Sequence, residues 1–187
     1  RDPKTRQSAD HSMVFILSRL LKKAFDKAND IKPLAGDSNK FWNSLMLTPV
    51  DYSNEALKCP QTRKIMNKIQ FIHGGPKYDE KYPEGIPSQV DMELNDGKKI
   101  SSGFVMFPPG HAANSSHDLK GTLDYKSRLY LDFCQISKSE TDSFLNKLNN
   151  IERLSNKDLE NLYDIQINHS NVSIDEDGFD ISKFKLL

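Results

Sequence analysis

Apolar and polar residues near the start of the chain recur with the period of an α-helix. Over residues 10–28 the apolar side chains fall on one wide face, and basic side chains such as Arg19 and Lys22 cover the other. The apolar face runs almost all round at its beginning, which is typical of a helix buried at its N-terminal end. Asp10 is expected to cap this helix, because its carboxylate can accept hydrogen bonds from the unpaired N–H groups of the first turn.

The next part of the chain is punctuated by prolines and glycines and predicts only short elements. Its apolar positions indicate a short helix over residues 41–47, a second helix over 61–68 and a strand over 68–73. A Gly-Gly-Pro sequence at 74–76 is expected to end that strand, since these residues favour turns.

A strict alternation of apolar and polar residues then predicts a β-hairpin. Val90, Met92 and Leu94 alternate with polar residues, which indicates a strand with one buried face. The Asp-Gly pair at 96–97 favours a hairpin turn, because glycine accepts a positive φ without a Cβ clash. The chain is expected to return as a second strand over residues 100–107.

Helical spacing resumes after the predicted hairpin. Ser116 or Asp118 is expected to cap a helix that reaches about Cys134. Residues 137–140 and 155–158 each have the pattern of a capping box, in which a hydroxyl and a carboxylate satisfy backbone N–H groups at a helix start. Each box therefore predicts a further helix.

Helices and strands are segregated along the chain rather than alternating, and this order predicts an α+β fold. The chain has 187 residues, a length that suits one domain or one and a half. The end, from residue 168, is polar. Its acidic stretch at 175–180 is expected to be a solvated tail rather than a site.

Composition narrows the classes of function. Lys plus Arg is 26 and Asp plus Glu is 26, and this zero net charge argues against a dedicated nucleic-acid binder. The longest apolar run, residues 13–17, is far shorter than the ~20 residues that a membrane span needs. Cys59 and Cys134 are 75 residues apart in sequence; a disulfide between them stays open, and reduced thiols are favoured.

Two histidines are candidates for chemistry, each with a plain structural alternative. His11 lies at the predicted helix start beside Asp10, where a helix N-terminus favours a neutral imidazole and bound anions. The alternative is a histidine that only satisfies its neighbours. His111 follows Gly110 at the end of a predicted strand, where functional groups collect, or it is a simple loop residue. The histidine spacing does not favour a metal site.

Two stretches of the sequence resemble one known family. The segment RQSADHSMV at 6–14 resembles the R-x-x-A-D-H-S segment of the MmgE/PrpD family. The sequence YPEGIP at 82–87, the Asp-Gly pair at 96–97 and GHAAN at 110–114 resemble a second run of that family, in the same order. The sequence of these segments is most similar to that of fungal members that dehydrate 2-methylcitrate. The resemblance extends over about residues 1–166.

This resemblance implies that the chain is the C-terminal part of a longer, two-domain enzyme. Residues 1–30 would be one helix of a large helical domain, and 31–115 would be an α+β domain with a small antiparallel sheet. Residues 116–167 would be returning helices of the helical domain, and 168–187 a polar, acidic tail. The family's site lies between its two domains, so further catalytic groups are expected upstream of Arg1.

The chemistry that the resemblance implies is loss of water from a tricarboxylate, 2-methylcitrate giving 2-methylaconitate in propionate catabolism. His11 is the expected catalytic residue, through proton transfer or carboxylate binding. Arg6 would bind a substrate carboxylate, and Gly110 and His111 would lie near the domain junction as substrate-binding residues. Many relatives have Arg where this chain has Ala113, so an anion contact is missing there.

The resemblance also implies no cofactor, a homodimer of the longer protein, no nucleic-acid or membrane partner, and a mitochondrial matrix location, with the cytoplasm as the alternative. The piece alone is expected to be inactive. The competing hypothesis is a non-catalytic folded module, or a truncated product, that acts only in binding.

Overall fold

The computed structural model describes residues 2–165. Within that range the elements run in the following order: α1 (Arg6–Asp10), α2 (Met13–Asp26), α3 (Ala28–Ile31), α4 (Ser38–Leu45), α5 (Asn54–Lys58), α6 (Pro60–Met66), α7 (Pro76–Asp79), β1 (Asp91–Glu93), β2 (Lys99–Ser101), α8 (Leu119–Phe133), α9 (Lys138–Asn149) and α10 (Asn156–Glu160). Short 3-10 helices cover Lys32–Leu34, Pro49–Tyr52 and Ile151–Arg153. Helices dominate, and a small antiparallel sheet lies between them in sequence, so the predicted α+β class is confirmed.

The helix predicted over residues 10–28 is α2, which begins at Met13 and ends at Asp26, and a short helix that the pattern did not predict, α1, precedes it with a break between the two. His11 is the C-cap of α1 and Ser12 is the N-cap of α2, with Ser12 in an extended conformation (φ −104°, ψ 100°). The Ser12 hydroxyl accepts a hydrogen bond from the backbone N–H of Phe15 at 3.3 Å. The prediction that Asp10 caps the long helix is therefore wrong, because a serine two residues later ends one helix and starts the next.

The hydrophobic core forms where α1, α2, α5 and α6 meet. Its buried side chains are Ala9, Val14, Phe15, Leu57 and Met66, with Tyr52 and Ile69 packed against them. Full burial of an aromatic side chain such as Phe15 stabilises a fold by roughly 1.5–3 kcal/mol. This cluster therefore fixes α1 and the start of α2 against the rest of the molecule.

A buried ionic network lies beside this core. The Asp51 carboxylate accepts hydrogen bonds from Arg19 Nη2 and Lys23 Nζ, each at 2.9 Å, and from the backbone N–H of Thr48 at 2.9 Å. Burial by itself would raise the pKa of Asp51, but these donors and the positive charge of Lys23 hold that pKa below its ordinary value. The network ties α2 to the 3-10 helix that contains Asp51.

The hairpin forms with the predicted turn. Met92 pairs with Ile100 across the two strands. The Leu94 N–H donates to the Lys98 carbonyl at 2.8 Å, and Gly97 takes φ 80° in the turn, as the Asp-Gly pair predicts. The predicted second strand over 100–107 is shorter, because Gly103 (φ 65°) breaks it, and only an isolated bridge from Ser88 to Val105 continues the pairing.

The prediction of a buried hairpin face is wrong. Val90, Met92 and Leu94 are 37%, 36% and 41% exposed. Alternation predicts which side chains share a face, but burial also needs a second layer, and among residues 2–165 none buries these three.

The strand predicted over residues 68–73 is also wrong. Residues 69–74 have no regular secondary structure, and Phe71 and Ile72 are exposed. An apolar run forms a strand only if another strand pairs with its backbone groups, and sequence alone does not show whether that partner is present.

The C-terminal helices begin where the capping patterns predict. Asp118 accepts from the Gly121 N–H at 2.9 Å to start α8, so Asp118 rather than Ser116 is the cap. Ser137 caps α9, and Ser155 caps α10 with the predicted box. No helix in the described part of the chain has the length and hydrophobicity to cross a bilayer.

Cys59 and Cys134 are both free thiols. The acidic stretch at 175–180 lies outside the described residues. The domain boundaries at residues 30 and 115 stay predictions.

Candidate functional site

The break between α1 and α2 determines where the His11 side chain lies. As the C-cap of α1, His11 places its ring beside the last turn of that helix. Its Nδ1 atom is 3.0 Å from the carbonyl oxygen of Gln7 and 2.5 Å from Oδ1 of Asp10. Both of these partners accept hydrogen bonds, so Nδ1 carries a proton that is shared between them.

These contacts favour the positively charged form of His11. The Gln7 carbonyl, followed by the hydrogen bond and negative charge of Asp10, raises the pKa of His11 above its ordinary value. The expectation that a helix N-terminus keeps this imidazole neutral is therefore corrected. His11 lies at the negative C-terminal end of α1, which favours a cation, and directly before the cap of α2.

An open pocket of about 510 Å³ lies next to this helix junction. Its polar lining consists of Asp2, Ser8, His11 and Ser12. Its apolar lining consists of Pro3, Met13, Val14 and Phe71. The His11 side chain is 80% exposed, so its ring is accessible to a ligand from solvent. The lining therefore combines polar and apolar side chains in one open depression.

The acidic group in this pocket is neutralised by neighbouring cations. Asp2 forms ion pairs with Lys4 at 2.5 Å and with Arg63. The Lys4 hydrogen bond is the largest cause of the lowered pKa of Asp2, and the charge of Arg63 adds to it. Arg63 also donates to the Pro3 carbonyl at 2.9 Å, so α6 holds the N-terminal segment that forms one wall of the pocket. With His11 protonated, three cations (Lys4, Arg63 and His11) are paired with two carboxylates (Asp2 and Asp10) in this region.

The other predicted site residues lie elsewhere in the described structure. Arg6 is the first residue of α1 and is half-buried, but it does not line this pocket. Gly110 and His111 belong to an exposed turn after the hairpin. The His111 ring stacks on Phe107 with centroids 4.7 Å apart, and its Nδ1 accepts from the Ala113 N–H at 3.0 Å. A shared site for these four residues stays a prediction.

Sequence reasoning missed several residues around His11. Nothing in the sequence indicates that Gln7 contacts His11 or that Ser8 lines the pocket, because both positions depend on a helix that ends at residue 10. The sequence predicts Phe71 in a strand, whereas the structure places it in the pocket wall. The sequence places Asp10 next to His11 but predicts it as a helix cap, whereas its carboxylate contacts the His11 ring. The Ser at position 12 is the signal that could have located the break, since serine is among the preferred N-cap residues.

Comparison with known proteins gives one partial similarity. A segment of 68 residues, 35% of this chain, is 32% identical to a probable 2-methylcitrate dehydratase from Saccharomyces cerevisiae (strain ATCC 204508 / S288c). The matched segment covers 13% of the yeast protein, so it spans far less than two thirds of that relative. The similarity indicates a distant relation to that protein.

No protein-family profile matches the chain. No solved structure matches it either.

Proposed function

We propose that this chain is the C-terminal part of a hydro-lyase of the MmgE/PrpD family that dehydrates 2-methylcitrate to 2-methylaconitate. The observation that carries the proposal is His11, a proton-bearing histidine at an open pocket within the R-x-x-A-D-H-S sequence at 6–12. The partial similarity to the yeast protein supports the same substrate class. In this proposal the enzyme acts in propionate catabolism, as a homodimer in the mitochondrial matrix, and uses no cofactor.

The reaction needs a base and an acid. The base removes a proton from the carbon next to a carboxylate, and the electron pair of that C–H bond forms the new double bond. The hydroxyl on the adjacent carbon leaves with a proton from the acid, so the products are the alkene and one water. A protonated His11 fits the acid, or a cation that binds a substrate carboxylate, better than it fits the base.

The remaining groups complete the proposed site only in the longer protein. Arg6 would bind a substrate carboxylate, and Gly110 and His111 would meet the substrate near the domain junction. The base would come from residues upstream of Arg1. Because the pocket beside His11 is open to solvent and the proposed base belongs to the upstream part of the longer protein, this chain by itself is proposed to be inactive.

The first test is an intact mass and an N-terminal sequence of the native protein. The proposal requires a protein that is much longer than this chain, which has a mass of 21.3 kDa. A native protein that begins near Arg1 would remove the enzymatic proposal.

The second test is His11→Ala in the full-length protein. We expect kcat/KM for 2-methylcitrate to fall by ~10²-fold or more, the lower range for loss of an acid–base group. The melting temperature should change little, since the ring is 80% exposed. Arg6→Ala is the companion variant, and there KM should rise more than kcat falls, as expected for lost uniform binding. A lower melting temperature with normal turnover per folded molecule would contradict the role of His11.

A second candidate function is binding without catalysis. The exposed apolar residues Val90, Met92, Leu94 and Ile100 of the hairpin favour it, because such side chains are usually covered by a second layer or a partner. The same mass measurement separates the two candidates, since only a native protein close to 21.3 kDa fits a stand-alone module.

A further inference from the structure

The Nδ1 atom of His11 has two acceptors, and they come from different parts of α1. The Gln7 carbonyl, at 3.0 Å, belongs to the backbone of the second residue of α1, and it is one of the last four carbonyls of this five-residue helix. The Asp10 carboxylate, at 2.5 Å, is a side chain on the residue next to the histidine. A backbone carbonyl cannot donate, and an ionised carboxylate cannot donate either, so Nδ1 holds its proton in both the neutral and the charged ring.

We propose that Asp10 is a positioning residue that, with the Gln7 carbonyl, holds the Nδ1–H of His11, so that Nε2 is the nitrogen presented to a ligand in the pocket. This inference rests on the proposed function, in which His11 is a site residue. It adds the identity of the reactive nitrogen and the group that orients the ring. Neither follows from the resemblance or from the partial similarity to the yeast protein.

The arrangement gives His11 two properties that an acid in a dehydration needs. With Nδ1 occupied, the ring is held against the end of α1 and only Nε2 can give a proton to a departing hydroxyl. The negative charge of Asp10 stabilises the imidazolium, so a larger share of His11 is charged near neutral pH. A carboxylate that orients a histidine in this way acts through the histidine and does not touch the substrate.

Other charged or titratable groups near His11 belong to three neighbouring segments: the residues before α1, α6 and the 3-10 helix that ends at Tyr52. Asp2 lines the same pocket, and its charge is balanced by Lys4 and by Arg63 from α6. Tyr52, from the 3-10 helix, has its pKa raised mainly by burial, with smaller contributions from Asp51 and Asp10. Phe71 and Met13 add no charge. Asp10 is therefore the negative group in contact with the His11 ring.

The test uses long-range ¹H–¹⁵N NMR of the purified 187-residue chain with labelled histidines, recorded across pH. His11→Gln identifies the His11 signals among the five histidines. In the unsubstituted chain, we expect neutral His11 to carry its proton on Nδ1. In Asp10→Asn, which keeps the shape and removes the charge, we expect the pKa of His11 to fall toward the ordinary value of about 6.5.

Asp26→Asn is the matched control, because it removes the same charge at the far end of α2, about 20 Å from the helix start at 1.5 Å per residue. It should leave the pKa of His11 unchanged. A neutral His11 with its proton on Nε2, or equal pKa values in Asp10→Asn and the unsubstituted chain, would overturn the proposal. If Asp10→Asn does not fold by circular dichroism, the tautomer in the unsubstituted chain decides. The experiment needs no turnover, so its result is independent of whether the longer protein dehydrates 2-methylcitrate.

Discussion

Asp51 connects parts of the chain that are far apart in sequence. Its carboxylate, only 7% exposed, lies between Arg19 and Lys23 of α2, and the Arg19 Nη1 atom also donates to the Thr62 hydroxyl at 3.3 Å. A buried charge that keeps its partners contributes little net stability, but removal of one partner leaves the others uncompensated. Asp51 therefore matters because two cations whose side chains are only 15% exposed depend on it.

We expect Asp51→Asn to lower the free energy of unfolding by about 3 kcal/mol at pH 7, the lower range for breaking a buried ion pair. The folded-state pKa of Asp51 lies below its unfolded value of about 3.9. The contribution of Asp51 is therefore complete above that value and is lost as the pH falls through the folded-state pKa. The two proteins should therefore differ fully above about pH 4 and converge only at lower pH, as the pH falls through the folded-state pKa of Asp51.

Urea unfolding of both proteins at pH 7 and in acid checks this prediction. The control is Asp26→Asn, which breaks an exposed pair with Lys22 and should change stability by less than about 1 kcal/mol. Equal losses in the two variants at pH 7 would show that the Asp51 network is not a special contributor.

The junction of α1 and α2 depends on one hydroxyl. Ser12 accepts from the Phe15 N–H, and the turn that it makes leaves His11 outside both helices. If α1 and α2 were one continuous helix, His11 would be an interior helical residue and not the C-cap of α1. Local capping chemistry in this element therefore places the candidate site residue.

Ser12→Ala should lower the free energy of unfolding by about 1 kcal/mol, the typical cost of a lost N-cap. Ser12→Asp keeps an acceptor at the cap and should differ from the unsubstituted chain by only a few tenths of a kcal/mol. Thermal unfolding of the three proteins measures both effects. An unchanged melting temperature in Ser12→Ala would mean that α1 and α2 do not need this cap.

The hairpin and the helical core should respond differently to the loss of apolar side chains. Phe15→Ala removes a fully buried ring that packs 6.0 Å from the Tyr52 ring, and should cost about 3–5 kcal/mol. Met92→Ala changes an exposed hairpin residue and should fall within about 0.5 kcal/mol of the unsubstituted chain. Urea unfolding measures both. A large loss in Met92→Ala would show that the hairpin face is covered in solution.

In the folded molecule His11 is exposed to solvent in an open pocket. Gly110 and His111 do not belong to the lining of that pocket. Catalysis requires the reacting groups to be held at productive distances, which an incomplete set of groups cannot provide. The matched segment covers 13% of the yeast relative, and the proposed function assigns the remaining groups to a longer protein.

We therefore expect the purified 187-residue chain to show no dehydration of 2-methylcitrate above a heat-denatured control. The measurement is product formation at a fixed time, with the full-length protein as the positive control. Turnover by the chain alone would mean that its own residues form a complete site.

Local signals predicted much of the fold. The caps at Asp118, Ser137 and Ser155 start helices as expected, and the Asp-Gly pair makes the hairpin turn. Each of these depends on side chains and backbone groups within a few residues, so the sequence contains the whole interaction. The candidate His11 came from the sequence in the same way, through a motif that is contiguous in the chain.

Burial and side-chain surroundings depended on parts of the chain that meet only after folding. The alternation at Val90–Leu94 determined which side chains share a face, but only the tertiary structure decided that this face stays exposed. The Asp51 network joins residues about 30 positions apart, and Arg63 reaches Asp2 across 61 positions. Such contacts depend on how helices pack in three dimensions. The sequence by itself determined the helix caps, the turn and the candidate histidine, and only the fold decided what surrounds that histidine, since its pocket walls come from segments about 60 residues apart.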